Sequence, residues 1–345
     1  MVESLLKPLQ FRQETRLLSL LSPVGDILVD FGVPKGGWLD LSTGINPFTY
    51  PDVTQRAEAV RRLPTSGDAA AFEAAARTYY RVPAGAALVA VPGTQAALQI
   101  LPLLRPKCAV AVLGPTYSEH GKTWRMTGHN VQEVSSFEAL GDGDVSVLVN
   151  PNNPDGSRYD PRLVIELAEQ VGTRGGLLIV DEAFADTEEG LSAVPQAGRD
   201  GLIILRSMGK FFGLAGLRLG CVICAPAFAK KIKDRLGPWS VGGGVLEIGT
   251  RALSDAVWIK DNRLRLSQSG DELGALLTDT GLGVIGGTDL FKLVETAHAR
   301  ELYEALGCQG ILVRAFAERP NWLRFGLPGQ AENVARLKSA LANFS

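Results

Sequence analysis

A lysine, a serine and an arginine lie at fixed offsets in one short segment and could together hold an aldehyde that carries a phosphate. Lys210 follows Ser207 by three residues and precedes Arg218 by eight, among apolar and small residues. Apolar surroundings disfavour an ammonium ion, so the pKa of such a lysine falls and it can form a Schiff base. A hydroxyl and an arginine suit a phosphate dianion. Pyridoxal phosphate (PLP) combines these needs, while surface charges flanking a glycine-rich loop explain the segment about equally well.

Other polar residues add chemistry that suits the same kind of ligand. Asp181 ends an apolar run, and a buried carboxylate there requires a cationic or donor partner such as a protonated pyridine nitrogen. Asn153 lies in a turn and could donate to a ligand oxygen. Thr94 and Gln95 open a helix whose free N–H groups suit a phosphate. Helix capping, turn formation or a structural ion pair would explain each of these residues taken alone.

The residues that could do chemistry fall just after short apolar runs, which predict the strands of a sheet. Strands are predicted at Ala87–Val91, Val110–Leu113, Val145–Asn150, Leu177–Asp181, Leu202–Ser207 and Leu219–Ala225. Helical patterns between them, such as Thr94–Leu104 and Pro161–Val171, indicate an α/β domain with a mostly parallel sheet. Ligands bind at the carboxyl edge of such sheets, so the clustering of polar residues there favours a site.

The pattern changes after Lys233 to a long helical region and then to short strands. These strands and a last helix are predicted at Gly283–Ile285, Leu290–Leu293, Ile311–Arg314, Trp322–Phe325 and Ala331–Leu341. They indicate a smaller α+β domain that the N-terminal segment joins. We therefore predict a large domain over 46–233 and a small domain made of 1–45 and 234–345.

Composition excludes several classes of protein. The chain has 345 residues with a net charge of −2, so no basic face indicates nucleic acid or an anionic membrane. Charges scattered through Met1–Leu21 do not fit a signal peptide or a membrane span, and a cytoplasmic location is predicted. Cys221 and Cys224 have metal-site spacing, but in a strand they point to opposite faces. No metal site is predicted.

Taken in order, these motifs resemble the class I/II aminotransferase superfamily, PLP enzymes of fold type I. The matching segments are Gly93–Gln95, Pro115–Tyr117, Asn150–Pro154, Asp181–Phe184 and Ser207–Arg218. The resemblance covers essentially the whole chain, and it is specific as a set although no single motif is. Three segments look closest to the branch of L-threonine-O-3-phosphate decarboxylases of cobalamin biosynthesis, which is near the histidinol-phosphate aminotransferases: Leu41–Pro47, Pro115–His120 and Arg206–Arg218.

The resemblance implies a role for each matching residue toward the cofactor. Lys210 bonds covalently to PLP and afterwards shuttles protons. Asp181 pairs with the pyridinium nitrogen, Asn153 bonds the phenolic oxygen, and Tyr117 stacks on the ring. The phosphate would be held by Thr94, Gln95, Ser207 and Arg218.

Substrate residues are implied in the same way. Arg324 matches an arginine that grips a substrate anion, commonly the carboxylate, with a bidentate fork, although a strand-edge charge facing solvent would also fit its position. Gly44 and Asn46 would line the same region. Arg314 and His120 are weaker candidates for a substrate phosphate, each also explained by a structural role.

The reaction favoured by this resemblance is decarboxylation of L-threonine O-3-phosphate to (R)-1-amino-2-propanol O-2-phosphate, by a homodimer with its sites at the subunit interface. One rival is a transaminase for histidinol phosphate or another acidic amino-group donor. The other is a non-catalytic relative, which has no reason to retain Lys210 together with Asp181, Asn153 and Arg218.

Three departures from the related families bear on the choice of reaction and substrate. Phe184 stands where many members have a tyrosine, and Leu63 stands where histidinol-phosphate aminotransferases typically have the tyrosine of a Tyr-Pro pair. Both departures argue modestly against a transaminase. The decarboxylases often have a His-Gly-Gly near their start, where this chain reads Ser22–Gly25, and this leaves the substrate open.

Overall fold

A computed structural model describes residue 34 and residues 36–344 of the chain. The segments Met1–Leu21 and Ser22–Gly25, on which part of the sequence analysis depends, lie outside the described residues. The described residues pack into two compact units, one formed by Phe48–Ser267 and a smaller one formed by the residues up to Pro47 together with those from Gln268 onward. The long helical region that follows residue 233 thus begins in the larger unit, and the domain boundaries at 46 and 233 stay a prediction.

The regular elements of the described residues are numbered in chain order. The strands are β1 (Leu39–Asp40), β2 (Ala87–Val91), β3 (Ala109–Leu113), β4 (Asn130–Val134), β5 (Val145–Val149), β6 (Leu177–Asp181), β7 (Leu202–Ser207), β8 (Gly220–Cys224), β9 (Gly283–Thr288), β10 (Phe291–Glu295), β11 (Ile311–Leu312), β12 (Arg314–Ala315) and β13 (Trp322–Gly326). The helices are α1 (Ala57–Arg61), α2 (Ser66–Tyr80), α3 (Thr94–Ile100), α4 (Glu119–Met126), α5 (Pro161–Gly172), α6 (Pro226–Leu236), α7 (Gly243–Ser254), α8 (Ala256–Asp279), α9 (Ala299–Cys308) and α10 (Ala331–Ala342).

The larger unit is built on a seven-stranded sheet in the order β2-β8-β7-β6-β5-β3-β4. The five strands from β7 to β4 are parallel, and β8 runs antiparallel to both β7 and β2. Every residue of β5, β6, β7 and β8 is buried, as expected for apolar strands covered on both faces by helices. The α/β fold with a mostly parallel sheet is therefore confirmed.

Two local differences from the predicted elements have clear causes. The edge strand β4 was not predicted, because its residues are mostly polar and no apolar run marks it. The predicted helix Thr94–Leu104 ends as an α-helix at Ile100 and continues as one 3₁₀ turn over Leu101–Leu104, which contains Pro102. Proline lacks the N–H that a continuing α-helix would use there.

The smaller unit contains a four-stranded antiparallel sheet in the order β12-β13-β10-β9. A separate two-stranded parallel pair joins β1 to β11. The predicted strand Ile311–Arg314 is thus divided between two sheets, with β11 buried and β12 exposed. Among the described residues, no helix is long and apolar enough to cross a membrane.

Candidate active site

The carboxyl ends of β5, β6 and β7 bring three of the predicted site segments to one edge of the sheet. Val149, Asp181 and Leu205 are register partners across these parallel strands. Asn153 follows β5 by four residues, and Ser207 ends β7. Ligand sites of open α/β sheets form at this edge, which is where the sequence predicts one.

Asp181 presents a buried carboxylate with two defined partners. Its Oδ1 accepts a hydrogen bond from the backbone N–H of Ala183 at 3.0 Å. Its Oδ2 lies 3.0 Å from Nε2 of His120, and both side chains are buried. These contacts fix the orientation of the carboxylate, which is a condition for presenting a defined oxygen to a ligand.

Two contacts define the position of His120. The residue was a candidate for binding a substrate phosphate, but its Nε2 contacts Asp181 and its ring meets Tyr117 edge to face at 5.9 Å. Only 1% of the residue is exposed. The geometry therefore makes His120 a partner of Asp181, and its contact with a substrate phosphate stays a prediction. The sequence could not reveal this contact, because the two residues are 61 positions apart.

Tyr117, whose ring meets His120, forms a small polar chain with Gln95. The hydroxyl of Tyr117 donates to Oε1 of Gln95 at 3.3 Å, and Nε2 of Gln95 donates to Oε2 of Glu119 at 3.0 Å. Tyr117 stays 41% exposed. An aromatic ring held at its hydroxyl with a surface left open suits stacking on a planar ligand.

Arg218 lies against the turn that precedes α3. A Cβ at Gly93 would sit 2.5 Å from Nη2 of Arg218, and Gly93 has a φ of 77°, so only glycine fits this turn. Arg218 itself has a φ of 52°, in the left-handed region that arginine adopts at a cost. The chain thus accepts backbone strain to place a guanidinium beside Thr94, the first residue of α3.

Ser207 belongs to the same neighbourhood. A Cβ at Gly220 would lie 3.1 Å from the backbone N of Thr94, and Gly220 is the register partner of Ser207 on the adjacent strand. Oγ of Ser207 accepts a hydrogen bond from the N–H of Gly209 at 3.2 Å. A hydroxyl, a guanidinium and the first N–H groups of a helix are donors that fit a phosphate ester.

Lys210 is partly exposed, and its Nζ lies 5.6 Å from the ring centroid of the buried Phe184. Two backbone oxygens of the loop that follows are held from outside it. Nδ2 of Asn262 donates to the carbonyl oxygen of Phe211 at 3.2 Å, and the N–H of Tyr50 donates to the carbonyl oxygen of Phe212 at 2.9 Å. The lysine therefore extends from a braced loop, beside a ring without a hydroxyl. Lys210, the carboxylate of Asp181 and the groups that could donate hydrogen bonds to a phosphate together fit PLP.

Asn153 is half-buried in a turn that the side chain of Asn152 holds in place. Asn152 accepts from Oγ1 of Thr116 at 2.7 Å and donates to the carbonyl of Pro115 and to Asp155. Sequence reasoning missed this role of Asn152, since a turn motif does not show which asparagine faces inward.

Sequence reasoning also missed Glu182 and Arg206, a buried ion pair whose signal was a charge inside an apolar run.

The smaller unit brings two predicted substrate residues side by side. Arg314 and Arg324 are register partners on β12 and β13, so their side chains lie on the same face of the sheet. Arg324 is buried, and its Nη2 donates to the carbonyl of Ser42 at 2.5 Å. Burial and the charge of Arg314 lower the pKa of Arg324 to about 10, and Asp40 partly offsets them. An added anion would relieve this repulsion.

Gly44 and Asn46 are also buried in the smaller unit, close in sequence to the carbonyl that Arg324 contacts. For the residues that the structure describes, no group of three or more histidine, cysteine, aspartate or glutamate side chains could hold a metal ion.

Comparison with known proteins gives one consistent family. The model of the family "Aminotransferase class I and II" matches residues 37–341. The chain is 39% identical to a threonine-phosphate decarboxylase of Pseudomonas aeruginosa, over 91% of this chain and 94% of that protein. It is 42% identical to a threonine-phosphate decarboxylase of a Sinorhizobium species, over 90% of this chain and 94% of that protein.

A solved structure of similar fold contains the cofactor that the site fits. The histidinol-phosphate aminotransferase of Sinorhizobium meliloti in complex with pyridoxal-5'-phosphate matches with a TM-score of 0.81 and 18% sequence identity, over 93% of this chain and 94% of that chain. At this identity the match shows a shared fold.

Proposed function

We propose, on the premise that the chain belongs to the aminotransferase class I and II family, that it is a PLP-dependent carboxy-lyase acting on L-threonine O-3-phosphate. The reaction yields (R)-1-amino-2-propanol O-2-phosphate and carbon dioxide and is a step in cobalamin biosynthesis. The observation that carries the proposal is the identity of 39% and 42%, over nine-tenths of the chain, to proteins named threonine-phosphate decarboxylase.

The chemistry is divided between cofactor and protein. Bound PLP supplies an aldehyde for the substrate amine and a ring that accepts the electron pair left at Cα when carbon dioxide departs. Asp181 holds a proton at the ring nitrogen, which keeps that acceptor strong. Lys210 would hold the aldehyde of the cofactor and would deliver a proton to Cα at the position that the carboxylate leaves. Thr94, Gln95, Ser207 and Arg218 bind the phosphate, Asn153 the phenolic oxygen, and Tyr117 the ring face.

His120 acts through Asp181 in this proposal. Its Nε2 is within hydrogen-bond distance of the carboxylate, so it fixes which oxygen faces the ring nitrogen and shares the charge of the carboxylate. It is therefore a positioning residue.

Arg324 and Arg314 are proposed to bind the anionic groups of the substrate. Two adjacent guanidinium groups repel one another. The pKa of Arg324 is lowered first by burial and then by the charge of Arg314, and the second cause reflects this repulsion. A substrate with a carboxylate and a phosphate supplies charge that offsets it, with Gly44 and Asn46 lining the region. Phosphorylated threonine is therefore expected to be preferred strongly over threonine.

The proposed reaction is tested by supplying threonine phosphate without any keto acid. A decarboxylase protonates Cα and regenerates its cofactor each turn, so we expect carbon dioxide release over many turnovers, measured as gas or bicarbonate. A transaminase would stop after one turnover, because it converts the cofactor to its amine form and depends on a keto acid to reverse this. Sustained glutamate formation from histidinol phosphate and 2-oxoglutarate, with no gas from threonine phosphate, would show that the reaction is transamination.

The role of Arg324 is tested by Arg324→Lys. Lysine keeps the charge but loses the planar fork, so KM for threonine phosphate should rise on the order of tenfold or more while PLP content is unchanged. Steady-state kinetics and the absorbance of bound cofactor measure the two effects. Arg319→Lys, an exposed change in the same unit, is the matched control and should leave both at the wild-type value. Unchanged KM in Arg324→Lys would assign Arg324 a structural role.

A homodimer is proposed from the family resemblance. In the larger unit, Val60, Leu63 and Trp239 are large apolar side chains that are each about 60% exposed. Pro64, next to Leu63, lines with Trp239 an open cleft of about 290 Å³. Exposed apolar surface of this kind is typical of subunit contacts, and sedimentation of the purified protein would measure the oligomeric state.

A further inference from the structure

A buried cluster of charges lies on the face of the sheet opposite to Asp181 and Ser207. Successive side chains of a strand alternate between faces, and Asp181 and Leu205 are register partners on β6 and β7. Glu182, the first residue after β6, still donates its N–H to the carbonyl of Leu205 at 3.0 Å, and Arg206 follows Leu205 on β7, so both side chains point to the other face. Glu182 is 0% exposed and Arg206 is 3% exposed.

One guanidinium bridges two carboxylates in this cluster. Nη1 of Arg206 lies 2.7 Å from Oε2 of Glu182, and Nη2 lies 2.6 Å from Oδ1 of Asp186. The guanidinium also covers the ring of Tyr80, at 4.5 Å from the centroid. A planar fork can span two acceptors in this way, whereas a lysine ammonium would reach only one of them.

Both carboxylates belong to the segment that carries the site. Glu182 follows Asp181 directly, and its carboxylate is held further by the hydroxyl of Ser192 at 2.5 Å and by the N–H of Ala193 at 2.7 Å. Asp186 lies two residues after Phe184, whose ring faces Lys210. Arg206 lies one residue before Ser207 and four before Lys210, so the cluster ties the two strand ends together.

The cluster is poorly explained by stability alone. Burial raises the pKa of Glu182, and although burial also works to lower the pKa of Arg206, the two carboxylates hold it well above its ordinary value. Replacing a buried ion pair with well-packed apolar residues is often neutral or stabilising. Apolar side chains in these positions would not fix the geometry of the two strand ends as the hydrogen-bonded charges do.

We propose that Arg206 is a positioning residue, which bridges Glu182 and Asp186 and thereby sets the separation of Asp181 from Ser207 and Lys210. This inference rests on the proposed function, because these three residues are the ones assigned to the ring nitrogen, the phosphate and the covalent bond. If one strand end were displaced relative to the other, residues that bind different parts of the same cofactor would move relative to one another. Errors of about 1 Å in such placements can cost on the order of a hundredfold in rate.

The test is Arg206→Lys, with Arg251→Lys as the matched control. Arg251 also lies between two carboxylates, those of Asp52 and Glu247, but it belongs to α7 and not to β6 or β7. In Arg206→Lys we expect the Kd of PLP to rise roughly tenfold and kcat to fall on the order of a hundredfold, with KM nearly unchanged. The pH midpoint of the absorbance change of bound cofactor should also shift, which general destabilisation would not cause. Arg251→Lys should match the wild type in all of these.

Glu182→Gln is the second variant, and it removes the negative charge at one end of the bridge with almost no change of shape. If Arg206→Lys does not accumulate as folded protein, Glu182→Gln should show the same weaker PLP binding and shifted midpoint. Folded variants with wild-type PLP affinity and midpoint would overturn the inference, as would equal changes in Arg251→Lys. If the wild-type protein itself binds no PLP at Lys210, the proposed function fails, and this inference fails with it.

Discussion

Lys210→Ala is expected to lower turnover of threonine phosphate by on the order of 10⁴-fold while the protein remains folded and still takes up PLP without a covalent bond. The lysine has two roles in the proposed reaction, because its amine holds the cofactor between turnovers and carries the proton to Cα. Thr94, Ser207 and Arg218 still bind the phosphate in the variant, so cofactor affinity should fall less than rate. Stopped assays of carbon dioxide release and equilibrium dialysis of PLP would measure the two quantities.

Borohydride reduction makes the same prediction specific to one residue. Treatment of the wild-type protein should fix the cofactor irreversibly, and peptide mapping should find it on Lys210. Lys233→Ala, which removes an exposed lysine of α6, is the control and should keep both the label and the turnover. A label on any other lysine would show that Lys210 is wrongly assigned.

Much of the larger unit could be predicted because most of its strands are largely buried and are therefore almost continuously apolar. Ala87–Val91, Leu177–Asp181 and Leu202–Ser207 were predicted with their exact bounds. Where one side of an element meets solvent, the pattern weakens. The sequence therefore does not predict the edge strand β4, and it predicts one strand over Ile311–Arg314, which the structure divides between two sheets.

The candidate site could be located from sequence, but the partners of its residues could not. Motif order and the strand-end rule put Asn153, Asp181 and Ser207 at one edge of the sheet. The contact of His120 with Asp181 and the bridge from Arg206 to Glu182 and Asp186 join residues far apart in the chain. Such contacts depend on the order of the strands in the sheet and on the face of the sheet to which each side chain points. The local pattern of a single sequence does not show either of these.

Asp181→Asn is expected to lower turnover by about 10³-fold with PLP content nearly unchanged. Asparagine has almost the same shape and can still accept the N–H of Ala183, so the loop should keep its conformation. It lacks the negative charge that keeps the ring nitrogen protonated, so the cofactor becomes a weaker electron acceptor. Carbon dioxide release and the absorbance of bound PLP would be measured together. Near wild-type turnover with bound PLP would show that another group protonates the ring.

A double-mutant cycle with His120→Gln separates direct from indirect action on the ring. If His120 acts through Asp181, the single variant should lower turnover by roughly tenfold, less than Asp181→Asn does, and should add almost nothing in the Asp181→Asn background. Residues that acted independently would give additive losses in free energy of activation, and the double variant would then be slower than either single one. Asp160→Asn, at the exposed N-cap of α5, is the control for a carboxylate change in the same unit and should leave turnover at the wild-type rate. Additive losses for His120 and Asp181 would assign the histidine a separate role, such as the contact with substrate phosphate that its sequence position first indicated.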